Sequence, residues 1–345
     1  MTTIALDAMG GDHAPQVVVA GAALAGERYP ELAFLLFGRE DELNRLLASR
    51  PRLAAHCTIA HTPDQVDAEA KPSQVLRHGR NTSMGLAIEA VKDGRASAAV
   101  SAGNTGALLG LAKFVLKTLP GIERPAIASL MPTKRGETVF LDLGANTECN
   151  ARNLVQFAVM GEVFARAVLG VAKPTVGLLN IGTEDVKGHD TIREAAAELR
   201  ASPLPMEFRG FVEGTDLSSG KVDVVVSDGF TGNVALKVAE GTVGLYSHVL
   251  REAFKSSLLA KLGYALIKPA LQLVRQRLDP RRYNGAMFLG LNGIVVKSHG
   301  GTDALGFANA IGVAVDLVQQ GTSQRITAEL KLEEEAIGGR QAQAS

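Results

Sequence analysis

The chain alternates short apolar runs with helical patterns, and this alternation is the feature that most constrains its fold. The runs are rich in Val, Ile, Leu and Phe and are apolar throughout, as in strands that are buried on both faces. The order predicts a mostly parallel, doubly wound α/β sheet. The predicted strands are 4–8, 32–38, 58–61, 98–102, 127–132, 139–144, 176–181, 222–227 and 294–298; the predicted helices are 17–28, 43–49, 84–93, 106–118, 154–169, 191–200 and 304–320.

Six polar loops that contain glycine each follow one of these predicted strands. A strand, a glycine turn and a helix start together expose backbone N–H groups that bind anions. Because open α/β sheets bind their ligands at the carboxyl ends of the strands, we expect the six loops to converge on one shared site. The loops are 7–13, 101–105, 142–146, 180–185, 228–233 and 298–303.

Composition excludes several classes of function. The chain has 345 residues, its 36 Lys and Arg are balanced by 36 Asp and Glu, and it contains no Trp, which argues against a general nucleic-acid binder. Two cysteines, Cys57 and Cys149, and the absence of a signal peptide before the first strand predict a cytoplasmic protein without disulfides. No uncharged apolar stretch is long enough to span a membrane.

A long helical pattern without a strand, residues 243–278, interrupts the alternation. Gly263 and Pro269 are expected to bend or split it. It is either a helical hairpin packed on the core or on a dimer partner, or a cationic amphipathic arm that contacts a membrane surface or an acidic protein. We therefore expect a single catalytic domain over 1–335, with residues 243–282 as an embedded helical arm. Residues 336–345 are expected to be a frayed tail.

Some candidate residues have two interpretations. The loop at 7–13 lacks the G-x-G-x-x-G spacing, which disfavours a nicotinamide cofactor. Asp12 is either a helix N-cap or, with Asp7 and His13, a metal ligand, but no second carboxylate cluster completes such a site. Cys149 could attack a thioester, although a small buried thiol is the more common outcome.

Other loop residues suit the binding of an anion and the stabilisation of an oxyanion. Asn104, Asn146 and Asn233 can donate to an oxyanion, and Thr105 suits a helix N-cap. Lys187 is either a cation that clamps an anion or, if desolvated, a nucleophile. His299 is either a proton carrier or a structural histidine.

These loops, in this order, resemble those of the bacterial phosphate acyltransferases, which make acyl phosphate from acyl-acyl-carrier protein and inorganic phosphate. The segment 148–152 departs from the family pattern and the segment 77–84 matches it only loosely. The likeness nevertheless covers nearly the whole chain. The matching stretches are 7–15, 101–108, 142–146, 156–161, 180–188, 228–233 and 298–303.

The resemblance implies a Rossmann-related fold of the phosphotransacetylase and isocitrate-dehydrogenase type with a protruding helical arm. It also implies a homodimer, no metal or organic cofactor, and peripheral association with the membrane, where a glycerol-3-phosphate acyltransferase uses the product. The family's functional lysine and asparagine fall on Lys187 and Asn233. The arm corresponds to paired helices at the dimer interface whose tip contacts lipid.

We predict a site with three kinds of residues. Lys187, Asn233 and His299 form the catalytic set, and Arg281 and Arg282 contact the acidic carrier protein. We favour a clamping role for Lys187 over a covalent one, because an ordinary acyl-lysine amide is too inert. The predicted phosphate and acyl ligands are Asp7, Gly10, Gly11, Asp12, His13, Gly103, Asn104, Thr105, Asn146, Gly182, Thr183, Glu184, Asp228 and Gly232.

Three other functions compete with this hypothesis. The first is a coenzyme A-dependent phosphate acetyl- or butyryltransferase, which the long apolar arm disfavours. The second is an oxidoreductase of the isopropylmalate type, which needs a nucleotide pocket and metal carboxylates. The third is a non-catalytic membrane scaffold, for which six polar loops have no purpose.

Overall fold

The structure is a computed structural model that describes residues 1–67, 69–70, 72–202, 204, 206–277 and 279–344. An 11-stranded sheet forms its centre. The strands are β1 (Thr2–Asp7), β2 (Leu32–Gly38), β3 (Cys57–His61), β4 (Ala98–Ser101), β5 (Ala126–Thr133), β6 (Gly136–Leu141), β7 (Thr175–Leu179), β8 (Glu207–Val212), β9 (Val224–Val226), β10 (Ala286–Leu289) and β11 (Ile294–Lys297).

Helices cover the sheet and connect most of its strands. They are α1 (Gln16–Arg28), α2 (Glu40–Ala48), α3 (Pro51–Ala54), α4 (Pro72–His78), α5 (Ser83–Lys92), α6 (Thr105–Leu116), α7 (Ala151–Leu169), α8 (Asp190–Arg200), α9 (Gly229–Lys255), α10 (Leu258–Arg277), α11 (Ala304–Gln319) and α12 (Thr322–Ala344). The predicted mostly parallel α/β fold is confirmed, and the strands and helices predicted from the sequence are all present.

The sheet has two parallel halves that run in opposite directions. Its strand order is β3-β2-β1-β4-β11-β10-β5-β6-β9-β7-β8. The first five strands are mutually parallel, and so are the last four. Between them, β10 is antiparallel to both β11 and β5, and β5 is antiparallel to β6. The carboxyl ends of the two halves therefore lie at opposite edges of the sheet.

Each face of the sheet is buried under helices, which explains strands that are apolar throughout. Along β1, Ile4 and Leu6 pack in a core that includes residues of α1 and α11. Ala5, which points to the other face, packs in a core that includes residues of α5 and α6. A strand buried in this way has no polar face and no polar alternation.

The helical arm consists of two consecutive helices, α9 and α10, and so begins at Gly229 instead of residue 243. The break between α9 and α10 falls at residues 256–257, so the expected split at Gly263 or Pro269 is wrong; both residues lie inside α10. Among the described residues, no helix is long and apolar enough to cross a membrane. Ser345 and the side chains of 336–344 lie outside the described residues, and the frayed tail stays a prediction.

Candidate active site

The loops after β1, β4 and β11 meet at one edge of the sheet, and we name them the first loop group (residues 7–13, 101–105 and 298–303). The Asp12 backbone N–H donates to the carbonyl oxygen of Gly300 at 3.0 Å. The Ser101 hydroxyl donates to Asp7 Oδ2 at 2.6 Å. A Cβ atom at Gly10 would lie 2.9 Å from the Gly103 nitrogen. Glycine therefore allows the first two loops to approach each other closely.

Lys297 lies beneath this group at the end of β11, and only 9% of its surface is exposed. Its Nζ donates to the carbonyl oxygens of Ala102 and Ser298. Burial lowers the pKa of Lys297 to about 8, while the charges of Asp12 and Asp7 oppose that shift. Burial also raises the pKa of the Asp7 carboxyl, despite its hydrogen bonds. The group thus holds a buried amine beside a buried carboxyl.

Lys297 is absent from the predicted site. The signal for it was a lysine that ends an otherwise apolar strand, directly before a polar glycine loop. An apolar strand end in a buried sheet is an unfavourable place for a charge unless it has partners.

The other predicted members of the first loop group lie mostly at its surface. Asp12, His13 and His299 are exposed, and His299 Nδ1 accepts a hydrogen bond from the Gly301 N–H at 3.2 Å. Two helix caps differ from those expected. The side chain of Asn104, and not Thr105, caps α6, and α1 follows Pro15 without a side-chain cap from Asp12.

The loops after β6, β7 and β9 form a second loop group (residues 142–146, 180–188 and 228–233). Asp142 is buried at its centre and accepts backbone N–H bonds from Ile127 at 2.9 Å and from Asn146 at 2.7 Å. Burial raises the pKa of the Asp142 carboxyl. The Asn146 amide nitrogen donates to Pro125 and to Asp142. The side-chain amide of Asn146 therefore stabilises the loop through these hydrogen bonds.

Asn233 is the fifth residue of α9 and the last residue of the second loop group. Asp228 caps this helix by accepting from the Thr231 N–H at 2.8 Å and from the Thr231 hydroxyl at 2.7 Å. A Cβ atom at Gly232 would lie 2.0 Å from the carbonyl oxygen of Asp142. The helix start is thus pressed against the loop after β6, and the Asn233 side chain remains exposed.

The side chain of Asn180 fixes the backbone of the loop that carries Lys187. The Asn180 amide donates to the Lys187 carbonyl at 3.1 Å, and its oxygen accepts from the Ile181 N–H at 2.9 Å. A Cβ atom at Gly182 would lie 3.0 Å from Lys187 Cγ. The Lys187 side chain is exposed, as are Thr183 and Glu184.

Exposed apolar side chains surround these polar residues. Ile181 is 82% exposed and Val186 is 79% exposed on the loop that carries Lys187. Phe230 and Val234 are exposed beside Asn233. This combination suits a ligand that has both an anionic and an apolar part.

Cys149 is a poor nucleophile in this setting. Burial raises the pKa of its thiol to about 11, and the charges of Asp142 and Asp228 act in the same direction. The thiolate, which is the reactive form, is therefore scarce near neutral pH. Across the described residues, no three His, Cys, Asp or Glu side chains are grouped so as to hold a metal ion.

The expectation that the six loops converge on one shared site is wrong for a single protomer. The two loop groups lie at opposite edges of the sheet because the strand direction reverses between β11 and β6. Five strand steps separate β4 from β9, which is roughly 24 Å at about 4.8 Å per step. The sequence signal for this reversal is the two-residue connection between β5 and β6, Lys134 and Arg135, which is too short for a parallel crossover.

Arg281 and Arg282 lie on the turn that follows α10. Arg281 Nη1 donates to Asp303 of the first loop group at 2.8 Å, and its Nε donates to Asp279 at 2.9 Å. Both arginines are exposed. Arg281 therefore joins the base of the arm to the first loop group, and its charge is already paired.

The architecture is shared with solved phosphotransacetylases. A phosphotransacetylase from Streptococcus pyogenes superposes with a TM-score of 0.61, 20% identity and coverage of 92% of this chain and 94% of that chain. A branched-chain phosphotransacylase from Enterococcus faecalis gives a TM-score of 0.58, 15% identity and coverage of 92% and 99%. The fold is thus of the phosphotransacetylase class.

Sequence relatives narrow this class to one family. A sequence model of the family described as fatty acid synthesis protein matches residues 2–325. A phosphate acyltransferase from Rhodospirillum centenum is 65% identical over 327 residues, which cover 95% of this chain and 92% of the relative. One from Rhodospirillum rubrum is 62% identical over 327 residues, or 95% and 94% of the two chains. This chain belongs to the phosphate acyltransferase family and is an acyltransferase.

Proposed function

We propose that this acyltransferase moves a long-chain fatty acyl group from acyl-carrier protein to inorganic phosphate, and that the acyl phosphate serves phospholipid synthesis. The relative from Rhodospirillum centenum carries the assignment of phosphate as acceptor, because its similarity extends over nearly the whole chain. The exposed apolar side chains beside Lys187 and Asn233 support an acyl donor with a long apolar chain.

The reaction needs positioning and charge more than it needs a base. A phosphate oxygen attacks the thioester carbon, the carbonyl becomes an oxyanion, and the C–S bond then breaks to release a thiolate that takes up a proton. Holding the two reactants together supplies about 7–11 kcal/mol. One oxyanion donor supplies about 3 kcal/mol.

Lys187 and Asn233 suit these two tasks. The Lys187 ammonium clamps the phosphate, and the Asn233 amide donates to the oxyanion. We favour this arrangement over an acyl-lysine intermediate because an amide would hydrolyse or transfer too slowly. No metal or organic cofactor enters this scheme.

The arm supports a homodimer and a peripheral contact with the membrane. Leu258 and Leu259, at the turn between α9 and α10, are 85% and 80% exposed. Apolar side chains at such a tip can enter the interface of a bilayer. A membrane position would place the acyl phosphate near a glycerol-3-phosphate acyltransferase in a cytoplasmic, peripherally bound assembly.

A coenzyme A-dependent phosphate acyltransferase is the second candidate, and the shared fold of the phosphotransacetylases favours it. The test measures labelled acyl phosphate formed from radiolabelled inorganic phosphate and either palmitoyl-carrier protein or an acyl-coenzyme A. We expect the carrier-protein thioester to give the higher kcat/KM. A higher kcat/KM with acetyl- or butyryl-coenzyme A would contradict the proposed function and favour the second candidate.

A further inference from the structure

The predicted catalytic residues and the buried Lys297 are divided between the two loop groups. Lys187 and Asn233 belong to the second loop group, whereas Lys297 and His299 lie in or beneath the first. Opposite strand directions hold these groups at opposite edges of one protomer. A single acyl transfer requires its reacting groups within a few ångströms of each other.

The arm is rooted in both groups. Its first helix, α9, begins at the Asp228 cap in the second loop group. Its second helix, α10, leads to the turn at Pro280–Tyr283, where Arg281 bonds Asp303 of the first loop group. The ends of the arm therefore lie at the two loop groups.

The arm also presents an apolar surface that one copy does not cover. Of the described residues of α9, Gly229 and Gly232 are the buried ones. Large apolar side chains are exposed along both helices: Val238, Leu245, Tyr246, Val249, Leu262, Leu266, Leu273 and Val274. Many exposed large apolar side chains on one pair of helices are typical of an interface.

A second copy of the chain fits this surface by symmetry. Two helical hairpins related by a two-fold axis, with their tips at the same end, form a four-helix bundle. Each α9 can then lie beside the α10 of the other copy as well as its own. The base of α9, with the second loop group, would face the base of the other copy's α10, with the first loop group.

We propose that the active site forms between two copies of this chain. Lys187 and Asn233 come from one copy, and Lys297 and His299 come from the other. Phosphate lies between the two lysines, so each copy alone holds only half of the site. This inference rests on the proposed function for its substrate and on the topology for its geometry.

Complementation between inactive variants tests the inference. Lys187→Ala chains with one affinity tag and His299→Ala chains with another are co-expressed, and heterodimers are isolated on both tags. In the heterodimer, one site receives both native halves, so about half of wild-type activity per dimer is expected. A Lys187→Ala and Lys297→Met pair repeats the test with the buried lysine.

A matched pair of defects in one loop group provides the control. Heterodimers of Lys187→Ala and Asn233→Ala chains carry a defect in both sites and are expected to stay inactive. Heterodimers of the complementary variants with no more activity than their parents would overturn the inference. Wild-type turnover of both His299→Ala and Lys297→Met would also overturn it, as would full activity of a monomer.

Cross-linking separates this inference from the proposed function, because it needs no activity. With Cys57 and Cys149 replaced by serine, chains carrying Thr183→Cys are co-expressed with differently tagged chains carrying His13→Cys. A flexible bismaleimide is expected to give a covalent heterodimer with both tags. A dimer in gel filtration that gives no such product would overturn the composite site, whatever the substrate is.

Discussion

Lys187 is the residue on which the proposed chemistry depends most. Its loop backbone is fixed by Asn180, but its ammonium is exposed and able to reach an anion. We expect Lys187→Ala to lower kcat/KM for phosphate by about 100-fold, the usual effect of removing one stabilising donor. Lys187→Arg should retain more activity than the alanine variant, because a clamp needs charge. Steady-state kinetics checks both, and near wild-type turnover in both would contradict the assignment.

Lys297 gives a pH-dependent prediction for stability. Its pKa is about 8 in the folded chain and 10.5 in the unfolded one, so the unfolded state binds more protons between these values. The free-energy cost of burying the charged Lys297 amine is fully present below pH 8 and decreases as the pH rises toward 10.5. Relative to Lys297→Met, the free energy of unfolding of the wild type should rise by up to about 3 kcal/mol across this window. Denaturation at several pH values measures it; a constant difference would show that Lys297 is not buried as a cation.

Residue types predicted the polar character of the site better than the roles of its members. Asn146 resembled an oxyanion donor, but its amide holds the loop through Pro125 and Asp142. Lys297 lies within a predicted strand and not in a predicted loop, so the loop pattern does not include it. The hydrogen-bond partners that separate such roles come from residues distant in sequence, and composition does not reveal them.

Among the elements, the start of α9 depends on two glycines, Gly229 and Gly232, that pack against the loop after β6. Gly232→Ala places a Cβ atom 2.0 Å from the Asp142 carbonyl oxygen, so the helix start must move away from the loop after β6. We expect a loss of stability of about 1–3 kcal/mol and a marked fall in kcat. Gly26→Ala in α1 is the matched control, because its nearest neighbour is Phe34 at 3.7 Å. Thermal unfolding and activity are measured for both variants. If Gly232→Ala is as stable and as active as Gly26→Ala, this packing is wrong.

The tip of the arm makes the membrane proposal testable. Replacing both Leu258 and Leu259 with Asn should weaken binding to anionic vesicles by at least about 100-fold, since burial of each Leu contributes about 1.5–3 kcal/mol. Leu332→Asn, an exposed leucine on α12, should leave vesicle binding unchanged. Vesicle flotation measures both variants. Equal binding by the wild type and the double variant would exclude the tip as the contact.

Element positions followed from periodicity, whereas the sheet topology did not. Two strands were missed. Only the last two residues of β8 are buried, and β10 has four residues between Gly285 and Gly290, so neither gives a long apolar run. The two antiparallel pairings of β10, with β11 and with β5, cancel each other, so β5 runs in the direction of the first half. The antiparallel pairing of β5 with β6 is the step that divides the six loops between two edges.

At the scale of the whole molecule, electrostatic attraction should guide the carrier protein to this enzyme. Arg281 is paired with Asp279 and Asp303, so the exposed Arg282 is the better of the two candidate contacts. Raising the ionic strength should increase KM for the acyl-carrier protein and leave kcat unchanged, because surface charges are screened beyond about 8 Å at physiological salt. Arg282→Glu should act in the same direction. A KM that is insensitive to both changes would place the docking surface elsewhere.

The stoichiometry of the two products is the decisive measurement of acyl transfer to phosphate. The purified chain is incubated with palmitoyl-carrier protein and radiolabelled inorganic phosphate, and labelled acyl phosphate and free carrier thiol are measured together. Transfer to phosphate predicts that both appear in equal amounts and that both depend on Lys187. Thiol release without labelled acyl phosphate would mean that water is the acceptor, and the claim of transfer to phosphate would be contradicted.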